Sequence, residues 1–367
     1  MKYTDRKDAL LLLEDGSSFR GKSIGKEGTS GGEICFNTGM TGYQEVYTDP
    51  SYYGQVIVNT TPHIGNYGIN KDEQESEKPK IFGLIVNEFS EYFSRKTADD
   101  SLDQYLKTNG IVGITNLDTR KIVRHIRSRG AMNCIISSEI LDEEKLFQKL
   151  KEIPSMEGLE LSSQISQHDP FLIGDESNST KIAVLDLGIK TSILKNFNER
   201  GCVCKVYPAK TSFEEMEQWN PDGYFISNGP GDPGVMDYAV ENVKKAQESM
   251  KPVFGICLGH QLLARANNIS TYKMHHGHRG LNHPVKNIET GRGEITSQNH
   301  GFAVSSDTIR SNENITVTHI NLNDDTIEGL KVNNRKAFSV QYHPESSPGP
   351  HDSRYLFDNF LTLIKTK

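Results

Sequence analysis

Long apolar runs are missing from this chain. None approaches the ~20 residues that cross a bilayer, so we expect no membrane span. Cysteine is scarce: five in 367 residues, at positions 35, 134, 202, 204 and 257. An odd number at spacings that match no zinc pattern argues against a disulfide framework and points to a reducing cytoplasm. Cys202 and Cys204, two apart in an apolar run, read as small buried strand residues. Positive charge is not in excess either. The net charge of -7 gives no electrostatic case for nucleic acid or an anionic membrane. Glu14 cuts off the short run Leu10 to Leu13, so no signal peptide is expected. No phosphate-binding loop is expected, and no internal repeat or low-complexity tract occurs. What remains, with 35% hydrophobic and 24% charged residues, is ordinary globular composition. The length exceeds one ordinary core and predicts two domains.

Residues 1–152 read as a strand-rich α+β domain of turn-bounded apolar runs. Ala9 to Leu13, Asp15-Gly16 and Phe19 predict a hairpin, because Asp-Gly suits the positive φ of a tight turn. Gln55 to Asn59 and Ile81 to Val86 are further strands. Asp118 or Thr119 caps a helix through Ile122, Val123 and Ile126 to Gly130. That helix carries Arg120, Lys121, Arg124, Arg127 and Arg129, read first as a solvated face and second as a docking surface. Residues 153–180 lose periodicity and gain Ser, Asp and Gly, as a linker would. From Lys181 strands and helices alternate. Ile182 to Leu187, Cys202 to Tyr207, Tyr224 to Ser227 and Val253 to Ile256 are the strands, which predicts βαβ units and an α/β domain over 181–367. Ser353 to Lys367 reads as an amphipathic tail helix.

The strongest chemical signal is Val253-Phe254-Gly255-Ile256-Cys257-Leu258-Gly259-His260-Gln261, a strand that runs through Gly-x-Cys-x-Gly into a helix. This is the pattern of a nucleophile elbow, in which flanking glycines relieve crowding around a strained central residue. Unpaired N–H groups at the helix start favour a thiolate there. Three histidines compete as its base: His260, His300 and His343. In Tyr342-His343-Pro344-Glu345, a carboxylate two residues on can flank the imidazole if the segment is extended, which favours His343. Ser227-Asn228-Gly229-Pro230-Gly231-Asp232-Pro233 follows a strand and offers N–H groups for an oxyanion. His275, His276, His278 and His283 crowd together without metal-ligand spacing, so no metal site is expected.

Taken together, GICLGHQ, SNGPGDP, QYHPES and Ser297-Gln298-Asn299-His300-Gly301-Phe302 resemble the class I (triad) glutamine amidotransferases. Phe36-Asn37-Thr38-Gly39-Met40-Thr41-Gly42-Tyr43-Gln44-Glu45, Thr48-Asp49-Pro50-Ser51-Tyr52 and Pro62-His63-Ile64-Gly65-Asn66 are similar to the small subunits of carbamoyl phosphate synthetases. The resemblance implies a C-terminal class I amidotransferase domain, a mostly parallel sheet flanked by helices, behind the strand-rich α+β domain. It makes Cys257 the nucleophile, His343 the general base and acid, and Glu345 its orienter. Glutamine would be held by Ser51, Gly229, Gly231, Leu258, Gln261, Asn299, Gly301 and Phe302, with Leu258 and Gly229 N–H groups as the oxyanion hole. It further implies a heterodimer whose large subunit takes the ammonia and makes carbamoyl phosphate, for arginine or pyrimidine synthesis, from bicarbonate and ATP. No cofactor is expected in this chain, and ATP and a metal ion belong to the large subunit. The N-terminal half weighs against a glutaminase subunit of another synthetase, such as one making anthranilate or guanylate. The complete triad weighs against a silent scaffold that only binds a partner.

Overall fold

The computed structural model describes residues 6–309 and 312–366. The first five residues of the opening segment and Lys367 of the expected tail helix lie outside the described residues. Contacts divide the chain into two compact units, Met1–Met156 and Glu157–Lys367.

In the first unit, seven strands close into a barrel. The Asp15-Gly16 turn forms with Gly16 at φ 86°, and Leu11 pairs with Phe19 across the hairpin Asp8–Leu13 and Ser18–Gly25. Closure comes from the other edge of the same first strand, where Leu10 pairs with Ser137 and Leu13 with Cys134 of Asn133–Ser137. This explains an unbroken Leu10 to Leu13 run. Alternate side chains point to opposite faces, and both faces are covered. Leu11 and Leu13 share a core cluster with Ile122 and Ile126 of the helix Thr119–Arg129. Leu10 and Leu12 pack with Leu146 and Leu150 of the helix Glu143–Leu150. Each buried leucine contributes about 1.5–3 kcal/mol. The capping of Thr119–Arg129 follows its residues: Asp118 accepts the Lys121 N–H at 2.9 Å, and Gly130 ends the helix at φ 100°.

The second unit is one ten-stranded sheet. Its centre is five parallel strands in the order Cys202–Pro208, Thr180–Asp186, Gly223–Ile226, Val253–Ile256, Ala337–Val340. Helices Thr191–Asn198 and Tyr355–Lys365 cover one face, where Phe197, Phe357 and Phe360 meet Phe225 and Phe254. Asp237–Glu248 and Leu258–Ala266 cover the other. Beyond Ala337–Val340 the sheet continues antiparallel through Ile327–Val332, Ile315–Asn321, Thr271–Asn287 and Gly293–Val304. The sheet is therefore mixed, with the parallel strands gathered at its centre.

The stretch 153–180 is more ordered than a linker. It carries the short helix Ser162–Ile165 and the strand Phe171–Ile173, which pairs antiparallel with Cys202–Pro208 at the sheet edge. The strand is short and apolar, and Phe171 and Leu172 stay exposed at the sheet edge. Among the described residues no helix is long and apolar enough to cross a membrane.

Candidate active site

Four neighbouring parallel strands each deliver one part of the site at their carboxyl ends, where ligand sites of open α/β sheets lie. Thr180–Asp186 leads to Lys190, Gly223–Ile226 to Ser227–Gly231, Val253–Ile256 to Cys257 and Ala337–Val340 to His343.

Cys257 stands between strand and helix at φ 55°, ψ -102°, a region that costs a non-glycine residue about 1–3 kcal/mol. The surroundings enforce it. A Cβ on Gly255 would lie 2.6 Å from the Gly259 carbonyl oxygen, and one on Gly259 would lie 2.2 Å from that of Ile226. Both flanking glycines are thus required by close backbone approach, and the cysteine takes the strain. Its N–H donates to the Val340 carbonyl at 2.9 Å, its sulfur lies 3.6 Å from the Asn299 carbonyl oxygen, and it caps the helix Leu258–Ala266.

Only one of the three competing histidines is available to the sulfur. His260 is buried, with Nδ1 2.9 Å from the Ser339 hydroxyl; burial first, then His319, lowers its pKa to about 3. His300 places Nδ1 2.8 Å from the Phe302 carbonyl oxygen and Nε2 3.1 Å from Gln298, and burial holds its imidazolium well below the usual range. His343 directs Nδ1 at Glu345 Oε1, 2.7 Å away, and its buried Nε2 has no nitrogen or oxygen partner among the described residues, the Cys257 sulfur being its neighbour. Burial disfavours its imidazolium, but Glu345 and the Cys257 sulfur outweigh this and push its pKa up to about 10. The pair does not meet along an extended segment. The strand ends at Val340, and the chain turns, with Ser346 N–H donating to the His343 carbonyl at 3.2 Å.

Glu345 has a second partner that the sequence did not signal. Lys190 Nζ lies 2.9 Å from Glu345 Oε1 and donates to the Ser347 carbonyl at 2.9 Å. Burial works against the Glu345 charge, but Lys190 and then His343 overcome it and hold its pKa near 2. Lys190, Glu345, His343 and Cys257 form a buried line of ionisable groups. Lys190 lies 155 positions before Glu345, so no local pattern joins them. The available signal was its place just past a parallel strand.

The Gly229–Gly231 turn is equally constrained. A Cβ on Gly229 would lie 2.0 Å from the Leu187 carbonyl oxygen, and Gly231 sits at φ 100°. The expected linker holds this turn in place. Ser162 Oγ donates to the Pro230 carbonyl at 2.9 Å, Gly158 N–H donates to Asp232 at 2.8 Å, and Glu160 bridges Gly231.

Leu258, Asn299 and Phe302 are buried beside the elbow helix and the strand Gly293–Val304, with Gly301 half-buried. Gln261 donates through Nε2 to the Phe302 carbonyl at 2.9 Å and to Gln341 at 3.1 Å, and its carbonyl oxygen is the acceptor that remains among the described residues. Ser51 belongs to the first unit, buried in the single turn Pro50–Tyr52, where its N–H donates to Asp49 at 2.8 Å.

One cluster resembles a metal site. His278, His300 and Glu328 each bring one ligand atom within 4.8 Å of the others. His278, however, sets one nitrogen 2.8 Å from Asp324 and the other 3.4 Å from Glu328, the arrangement of a doubly protonated ring between two carboxylates. With the His300 contacts above, these donors already serve one another.

Comparison with known proteins finds two matching families and several full-length relatives. Residues 11–136 match the family described as carbamoyl-phosphate synthase small chain, CPSase domain, and residues 183–363 match glutamine amidotransferase class-I. A carbamoyl phosphate synthase small chain of Syntrophotalea carbinolica is 49% identical, over 97% of this chain and 98% of its own. One from Listeria monocytogenes is 46% identical, over 98% and 97%, and one from Synechococcus is 45% identical, over 100% and 96%.

Proposed function

The chain belongs to the carbamoyl phosphate synthase small chain family, and from that premise we propose how it hydrolyses glutamine. The Cys257 thiolate attacks the side-chain amide carbon, and the carbonyl electron pair moves onto oxygen. Leu258 and Gly229 N–H groups hold that oxyanion. When the adduct collapses, the C–N bond breaks and the His343 imidazolium gives its proton to the leaving nitrogen. Ammonia departs and a glutamyl thioester remains. Neutral His343 then takes a proton from water as the water oxygen attacks the thioester, and glutamate leaves with Cys257 returned to thiolate. Glu345, neutralised by Lys190, stays ionised and fixes the imidazole.

The observation that carries this reading is the strained cysteine facing a histidine whose other nitrogen is held by a buried carboxylate. The resemblance adds Ser51, Gly231, Gln261, Asn299, Gly301 and Phe302 as the groups that hold glutamine. The partner is the synthase large chain, which carries ATP, metal ion and bicarbonate chemistry; this chain works in the cytoplasm without a cofactor of its own. The test is direct. The purified chain releases glutamate from glutamine, and Cys257→Ser releases none. Glutamate release by that variant at the wild-type rate would overturn the reading.

A further inference from the structure

The helix Thr119–Arg129 carries positive charge that the fold does not use. Its apolar side, Ile122 and Ile126, is fully buried and locks it onto the barrel. Arg120, Arg124 and Arg127 recur at spacings of four and three, so they share one exposed stripe. Outside this helix the arginines of the unit find acids: Arg6 with Glu91, Arg20 with Glu143, Arg95 with Glu73. Among the described residues the three stripe arginines have no ion-pair partner. The arrangement also works against the helix. Like charges at these spacings repel, and Arg120 sits in the first turn, where the helix dipole disfavours a cation, while Arg127 in the last turn is favoured by it. Clefts of about 920 and 640 Å³ open on either side of the stripe, one along Ser17–Phe19 and the other along Thr60, Pro62 and Asn87. Among the described residues the one carboxylate lining either cleft is Asp118, already engaged as the helix cap.

We propose that this arginine stripe is a docking surface for an acidic segment of the synthase large chain. Its carboxylates fit the guanidinium forks of Arg120, Arg124 and Arg127. This rests on the function proposed above, which requires a lasting complex for ammonia transfer. Charge complementarity carries the choice of occupant. In a chain of net charge -7 the stripe is a local cationic patch, arginine pairs with carboxylates bidentately, and it is enriched in protein interfaces. A helix anchored by its buried face presents those charges on a backbone that is already ordered.

The test compares wild type, Arg120→Glu/Arg124→Glu/Arg127→Glu and the milder Arg120→Gln/Arg124→Gln/Arg127→Gln for affinity to the purified large chain at low and high salt. Glutaminase activity of the free small chain serves as the check on folding. The expected result is at least tenfold weaker binding for the charge reversal, a smaller loss for the glutamine variant, a flattened salt dependence and unchanged free glutaminase. Unchanged affinity in both variants, with wild type binding normally, would overturn the docking surface and leave the family function intact. Failure of wild type to bind any large chain would instead overturn the underlying function. Binding of a DNA oligomer through the stripe, with the complex unaffected, would assign it to nucleic acid and also overturn the proposal.

Discussion

Charge is handled in opposite ways in the two units. In the second, Lys190, Glu345 and His343 are all buried, and each carries a neighbour of opposite sign within 2.9 Å. In the first, Arg120, Arg124 and Arg127 stand in solvent with no partner among the described residues. Burial explains the difference. An ionised group taken from water must be compensated at once or give up its charge, so the buried set is a fixed instrument whose protonation states are chosen by geometry. An exposed cation is tolerated unpaired because water solvates it. Compensated charges serve chemistry within the unit, and uncompensated ones remain free for a partner.

The buried set is tested by breaking it at two points, where activity and stability respond in opposite order. His343→Asn removes the proton carrier and should lower glutaminase kcat by about 10²–10⁴-fold. Glu345→Gln leaves the carrier in place and should cost less activity. It also strands the Lys190 ammonium, so it should destabilise the second unit by about 3–5 kcal/mol, more than His343→Asn does. Glutaminase kinetics beside urea unfolding, read by the fluorescence of Trp219, the one tryptophan, measure both. A Glu345→Gln protein as stable as wild type would break the claim that these charges hold one another.

A second buried pairing sharpens the comparison through pH. Burial disfavours the His278 imidazolium, yet Asp324 and Glu328 prevail and hold its pKa up at about 9. The folded value lies above the ordinary 6.5, so the stabilisation is complete below pH 6.5 and fades as pH rises through 9. The Trp219 unfolding transition should weaken across that window, with His343, held up at about 10, adding a loss of the same sign, and His278→Gln should remove on the order of 1–3 kcal/mol of the change. A wild-type profile already flat from pH 6.5 to 9.5 would remove the buried ion pair.

The smallest effect concerns a neutral contact. The resemblance assigns the Ser51 hydroxyl to glutamine, remote from the reacting carbon, where it holds ground and transition states alike. Ser51→Ala should therefore raise KM about two- to twelve-fold and leave kcat nearly unchanged. A fall in kcat at constant KM would contradict that assignment.

Local signals in the sequence carried far. Asp15-Gly16 marked the hairpin, Asp118 the cap, and the strand–helix rhythm from Lys181 the parallel centre of the sheet. The two glycines around Cys257 marked the elbow because their spacing answers a local steric demand. Long-range pairings left no such trace. Nothing in Ala9 to Leu13 says that Asn133–Ser137 closes a barrel on it, and the bulges after Lys273 and Gly280 hide the alternation of the long strand Thr271–Asn287. Residues 153–180 read as a linker because their one strand, Phe171–Ile173, is only three residues long and is surrounded by polar residues. Lys190 stayed hidden because its partner is distant in sequence.

The central claim is that this chain makes ammonia at Cys257 and leaves the remaining chemistry to the large chain. The most direct measurement is carbamoyl phosphate synthesis by the two-chain complex carrying Cys257→Ser, with glutamine and then with an ammonium salt as nitrogen source. Synthesis from glutamine should vanish while synthesis from ammonium persists near the wild-type rate. Equal loss of both, or retention of both, would contradict that division of labour.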